Sequence, residues 1–193
     1  LASVFQDGSF TYAMNESRRT LTRVPLNLTR FALPHFKTIE ILVCDKPTAS
    51  WATGVKWVFF NGEAIWLEGP AREWFEPHTL EAIRRCHAIL RRHRDAFTCS
   101  QPVPLVRTLA GGVFVNAFPA DDGRKTVYTF YNSRRRTFRG DVLAVDWPEG
   151  ATAHDAWNDR PARVRVGGRR ATLSLEIGPH DVGCVVVNSP GRP

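Results

Sequence analysis

Lys56-Trp57-Val58-Phe59-Phe60-Asn61-Gly62-Glu63-Ala64-Ile65-Trp66-Leu67-Glu68-Gly69 is the stretch around which the chain is organised. After its lysine, the first part is apolar, aromatic and β-branched, which predicts a buried strand over 56–60. Asn61-Gly62 is a turn dipeptide that stops that strand. Glu63 stands just beyond, followed by a second apolar piece and then Gly69-Pro70. The unit reads as a strand, a loop carrying an acid, and then a helix.

The helix has clear signals. Pro77 suits a first helical turn, where a missing N–H costs nothing, and Glu81 brings early negative charge to the positive end of the dipole. Leu80, Ile83 and Leu90 with Ala82, Cys86 and Ile89 form adjacent apolar rows, while Arg84, Arg85, Arg91 and Arg92 occupy the other face. That pattern predicts an amphipathic helix packed on a sheet. His87 borders the apolar rows and reads as a core or boundary histidine rather than a ligand. Upstream, Lys37 to Cys44 is short, β-branched and bounded by Pro34 and Pro47, a second buried strand, with Asp45 directly after it. Two buried strands separated by about a dozen residues suit parallel neighbours in a barrel or open sheet. Residues 1 to 36 support no single assignment beyond a short alternating strand at Ser9 to Met14.

Helical periodicity ends at Thr98 to Pro104. Beyond it the sequence breaks into short apolar runs divided by turn residues: Leu105 to Leu109, Val113 to Phe118, Thr126 to Tyr131, Asp141 to Val145, Ala151 to Trp157, Arg163 to Val166, Leu173 to Ile177 and Val182 to Val187. Short strands at this regular spacing predict an antiparallel sandwich. The fold class expected is α+β: a partial β/α barrel segment over residues 1–98, followed by an antiparallel β-sandwich over residues 102–188.

At 193 residues and 43% hydrophobic composition, the chain can build a real core. No stretch is long and uncharged enough to span a membrane. The net charge is +7, and all but four of the 26 basic residues are arginine. They are spread along the chain without a nucleic-acid-binding motif, so nucleic acid is not an expected partner. Cys44, Cys86, Cys99 and Cys184 match neither a zinc pattern nor a Cys-x-x-Cys redox motif. They read as buried thiols in a reducing compartment, and neither metal nor cofactor is expected. The chain begins without Met and without the basic start of a signal peptide. It is expected to be a piece of a longer reading frame.

Three segments of the second half carry a resemblance. Thr126 to Asn132 is similar to a hydrophobic strand ending in Asn. Ala153-His154-Asp155-Ala156-Trp157-Asn158-Asp159 is similar to an Asp-x-Trp-x-Gly turn, with Asp159 where glycine is usual. Ile177 to Val182 resembles a last hairpin. These elements belong to the C-terminal sandwich of barrel-type glycoside hydrolases, and Phe60-Asn61-Gly62-Glu63 looks like the closing β/α units of such a barrel. The resemblance covers most of residues 30 to 188. It implies the C-terminal portion of a carbohydrate-active enzyme whose missing barrel strands lie upstream, with carbohydrate as its partner. A full β/α barrel takes roughly 250 residues, so this chain holds only the end of one. A portion of that kind is expected to be inactive alone.

Glycosidases work with paired carboxylates, and functional residues of β/α barrels sit at the C-terminal ends of strands. Glu63 and Asp45 are therefore the candidate catalytic acids, and Trp66, beside Glu63, the candidate sugar-binding face. A loop acid that caps a backbone N–H is the bland alternative for each, and core packing for most tryptophans. The rival function is a non-catalytic carbohydrate-binding sandwich, which a strip of exposed aromatics on one sheet would favour.

Overall fold

A computed structural model describes residues 26–35, 39–43, 51–68 and 75–190. Contacts divide the chain into two compact units, Leu1–Arg92 and His93–Pro193. The division precedes the change of periodicity at Thr98, because a short helical piece belongs with the second unit.

In the first unit, helix α1 (Leu28–Ala32) leads to strand β1 (Ile39–Val43), helix α2 (Trp51–Phe60), strand β2 (Ala64–Glu68) and helix α3 (Pro77–Arg92). β1 and β2 pair in parallel, from Ile39 beside Ala64 to Val43 beside Glu68. Helices α2 and α3 pack on each other and on β2. The order is that of consecutive β/α units.

The strand expected over Lys56 to Phe60 is instead the second half of α2, and the true strand is the shorter apolar piece after it. A short apolar run does not by itself separate a strand from a buried helix. Here Val55, Val58 and Phe59 recur at helical spacing, and all three are fully buried with Phe60. Burial on that face outweighs the β-propensity of the aromatics. Asn61-Gly62 stops the helix rather than a strand. Gly62 adopts φ +66°, a left-handed conformation that glycine takes without cost. The Glu63 N–H then donates to Val58 O at 3.2 Å and the Gly62 N–H to Phe59 O at 2.9 Å, the bond pair of a Schellman cap.

The second unit opens with helix α4 (Arg94–Phe97). Eight strands follow: β3 (Val113–Pro119), β4 (Lys125–Asn132), β5 (Phe138–Asp146), β6 (Thr152–Asp155), β7 (Arg160–Pro161), β8 (Arg163–Gly167), β9 (Arg170–Ile177) and β10 (Val182–Asn188). They form two antiparallel sheets, ordered β3-β4-β10-β6-β7 and β5-β9-β8. Val113, Val115, Phe130 and Val185 of the first sheet share one core with Leu143, Val145, Leu173 and Leu175 of the second. The described residues after Pro104 contain no α-helix.

The second sheet alternates as its sequence predicts. Leu173, Leu175 and Ile177 point inward, while outward-facing Glu176 pairs with Arg139 at 2.9 Å and Asp141 with Arg165 at 2.5 Å. The first sheet buries both faces. Asn116, Phe118 and Thr129 on the side away from the shared core are fully buried, and Phe118 meets Phe97 of α4 with ring centroids 5.0 Å apart.

Two expectations change. Leu105 to Leu109 is not a strand; the segment meets β3 through the Val106 N–H, which donates to Val115 O at 2.8 Å, and the Leu105 N–H, which donates to Asn116 Oδ1 at 3.0 Å, and Leu105 adopts φ +49°. Ile177 to Val182 is not a hairpin, because β9 and β10 lie in different sheets and Gly178 to Asp181 carries the chain between them.

Candidate functional site

Glu63 follows the Schellman cap of α2 and precedes β2, so it stands at the N-terminal end of the parallel strands and not at the C-terminal end. This corrects the geometric ground on which it was chosen, and the cause is the helix at 51–60. Its surroundings form a buried polar knot. The Asn27 amide Nδ2 donates to Glu63 Oε1, and the Asn27 N–H donates to Asn61 Oδ1 at 2.9 Å. Arg30 Nε donates to Gly62 O at 3.4 Å, and Asn61 Nδ2 to Trp57 O at 2.9 Å. Asn27, Arg30, Asn61 and Glu63 are each no more than 5% exposed. Asn27 also caps α1, its Oδ1 accepting from Thr29 N at 3.1 Å. The knot ties α1 to the α2–β2 connection. Buried charges persist only when paired and hydrogen-bonded, and in β/α architectures this end of the strands serves stability.

The register that puts Val43 beside Glu68 brings together the C-terminal ends of β1 and β2. Asp45 follows Val43 by two residues and lies outside the described residues. Trp66 occupies β2 beside Ile41. Glu68, the last residue of β2, was not among the sequence candidates. Its signal was available: once Asn61-Gly62 is read as a helix stop, the next apolar run becomes the strand, and its last residue before Gly69-Pro70 is an acid.

The carboxylates of the second unit serve its turns and strand pairs. Asp155 is buried between β6 and β7 and accepts from Asn158 N at 3.2 Å, Asn158 Nδ2 at 2.9 Å and Arg160 Nε at 3.2 Å. Asp159, which the resemblance singled out as replacing glycine, adopts φ +49°. It lies 3.0 Å from His154 Nε2. The hydrogen bond from Ser174 and the guanidinium of Arg165 hold Asp141 below the usual carboxylate range, and Arg139 does the same for Glu176. These are surface pairings, and no hydroxyl or thiol joins His154 and Asp159 to make a nucleophilic triad among the described residues. Nor is there, among those residues, a cluster of His, Cys, Asp and Glu able to hold a metal. None of the described aromatic side chains is exposed.

No protein-family model matches the sequence, and no curated protein matches it. Solved structures do. A maltogenic alpha-amylase from Thermotoga neapolitana aligns with a TM-score of 0.58 at 12% identity, covering 93% of this chain and 50% of that one. The alpha-amylase of Geobacillus thermoleovorans, complexed with acarbose, aligns at 0.55 and 12% identity, covering 92% and 42%. An Anoxybacillus alpha-amylase aligns at 0.54 and 9% identity, covering 100% and 46%. At these identities the likeness is one of fold. The structural neighbours are glycoside hydrolases, and the chain spans half or less of their length.

Proposed function

We propose that this chain is the closing portion of a glycoside-hydrolase-like enzyme: the last β/α units of a barrel followed by a C-terminal β-sandwich. The observation that carries the reading is the parallel pairing of β1 with β2 across helix α2, with α3 directly after, in a chain that matches half or less of each alpha-amylase. Parallel strands normally lie in sheets covered on both faces, so two such strands call for further strands beside them. The sandwich has a structural role, covering the barrel and shaping one side of its cleft.

On this reading, carbohydrate lies across the C-terminal strand ends. By sequence, Asp45, two residues past β1, and Glu68, the last residue of β2, are the acids to test there, with Trp66 the aromatic. Glu63 holds the opposite end of the unit together. A carbohydrate-binding sandwich acting without catalysis is less well supported, since a sugar platform needs exposed aromatic faces and the described aromatics are buried or half-buried.

The test is made in the product of the uninterrupted reading frame. Asp45→Asn or Glu68→Gln, folded as wild type, should lower kcat for aryl glycosides by at least about tenfold, while Glu63→Gln should leave it within about twofold. Loss of turnover through Glu63→Gln alone would reverse the assignment.

A further inference from the structure

One end of the second unit carries a basic tip on an unusually fixed frame. Three connections meet there: the Gly111-Gly112 turn, the β4–β5 connection from Ser133 to Thr137, and the β9–β10 connection from Gly178 to Asp181. The Ser133 N–H and Oγ both donate to Gly112 O at 2.9 Å. Arg134 Nε donates to Gly111 O at 2.8 Å, and its guanidinium lies over the Phe138 ring at 5.3 Å from the centroid. The His180 N–H donates to Arg134 O at 3.2 Å, and Asn132 Nδ2 to Arg136 O at 2.9 Å. The backbone of the arginine run is thus held from three sides.

Arg134 is committed to this frame through its side chain. Arg135 and Arg136 are not: both are exposed, and no ion pair engages either among the described residues. The outer face of the neighbouring sheet differs, since Arg139, Arg165 and Arg170 meet Glu176, Asp141 and Asp146 strand by strand. Asp181 is the acid of these connections, and its Oδ1 accepts from the Val182 N–H at 2.8 Å. Two adjacent guanidinium groups on a rigid connection, neither held in an ion pair among the described residues, form an anion site whose backbone needs no further ordering on binding. Guanidinium suits planar, bidentate recognition of a carboxylate or sulfate.

We propose that Arg135 and Arg136 bind the sulfate or carboxylate groups of an acidic polysaccharide, so that the second unit holds charged glycan chains. The choice of a glycan over other polyanions rests on the glycoside-hydrolase reading above. Single-stranded nucleic acid is disfavoured independently, because its binding sites use exposed aromatic platforms and the described aromatics offer none.

The experiment titrates the 193-residue chain with dextran sulfate, neutral dextran of the same length and a random-sequence DNA duplex, at low and physiological salt. Dextran sulfate should bind, neutral dextran should not, and the duplex should bind more weakly than dextran sulfate. Arg135→Ser with Arg136→Ser should weaken dextran sulfate binding by about tenfold or more. Arg163→Ser with Arg169→Ser removes the same charge from the same unit and should change it by less than about twofold. No binding of dextran sulfate by the wild-type chain, or an equal loss in both double variants, overturns the site. Tighter binding of the duplex overturns the glycan and leaves a nucleic-acid surface in its place. None of these readouts requires turnover, so an absence of glycosidase activity bears on the proposed function alone.

Discussion

Asn132 ends β4, and its replacement by alanine should destabilise the second unit more than any surface substitution. The residue is fully buried. Its Nδ2 lies 3.1 Å from Ile177 O, 2.8 Å from Gly178 O and 2.9 Å from Arg136 O, while its Oδ1 accepts from Arg134 N at 3.1 Å. An amide has two hydrogens, so one is shared between two of the three carbonyls. One side chain thereby fastens two of the connections that cross between the sheets, β4–β5 and β9–β10. Truncation leaves Ile177 O buried without this donor, at about 1–3 kcal/mol, and three half-buried groups at about 0.5–1 kcal/mol each. The sum, about 2.5–6 kcal/mol, is a large share of the 5–15 kcal/mol typical of a domain. For a unit of about a hundred residues each kcal/mol lowers Tm by roughly 4–8 °C, so the loss should be at least about 10 °C. The assay is urea and thermal unfolding of the whole chain, with hydrogen exchange along β4 and β10 to assign the loss to this unit. Asn132→Asp sharpens the test. Its carboxylate would face carbonyl oxygens in a buried site, so its folded pKa would rise above the unfolded value. The stability of that variant should then be greatest in acid and fall as pH rises through the raised pKa. An alanine variant within about 3 °C of wild type in Tm, or an aspartate variant insensitive to pH, would refute the reasoning.

Asp159→Gly should be neutral or stabilising by up to about 1 kcal/mol at pH 8, since glycine removes the cost of a left-handed conformation while the exposed pair with His154 is worth little; Asp159→Val should cost about 2 kcal/mol by the same measurement. His87 is half-buried on α3, and burial first, then Arg91, lowers its pKa, so the folded state favours the neutral ring. Its contribution is present above the unfolded value near 6.5 and lost as pH falls below it; urea unfolding of wild type should weaken toward acid, and His87→Gln should flatten that part of the profile. Glu63→Ala should cost about 2–3 kcal/mol by opening the knot around Asn27, whereas Glu63→Gln should cost under about 1 kcal/mol because an amide oxygen still accepts from the Asn27 amide.

The second unit was legible because antiparallel strands with one wet face write their burial into alternate residues. Leu173, Leu175 and Ile177 did so, and turn residues marked the ends. What that signal does not carry is which sheet a strand joins, so the β9–β10 connection resembled a hairpin although its strands part company. Leu105 to Leu109 was apolar enough for a strand, but it lies along β3 as a loop with a residue in the left-handed region. In the first unit, Trp57 to Phe60 is an unbroken apolar run of four residues, too short to separate a helical period from a strand. The Asn61-Gly62 dipeptide marked a real stop and left the kind of element it stopped undefined. That one ambiguity moved Glu63 from one end of the sheet to the other. Asn132 was visible as the end of a hydrophobic strand; its hold on two distant connections depends on contacts 45 and 46 residues away.

The central claim, that this chain is the closing part of a larger glycosidase-like enzyme, meets its most direct test in one comparison of turnover. A panel of aryl glycosides is offered to the 193-residue chain and to the product of the uninterrupted reading frame that contains it. The account predicts no hydrolysis by the chain alone, because two parallel strands do not hold a pair of carboxylates rigidly across a sugar. It predicts hydrolysis of at least one glycoside by the longer product. Hydrolysis by the 193 residues alone, abolished by Glu63→Gln, would contradict it.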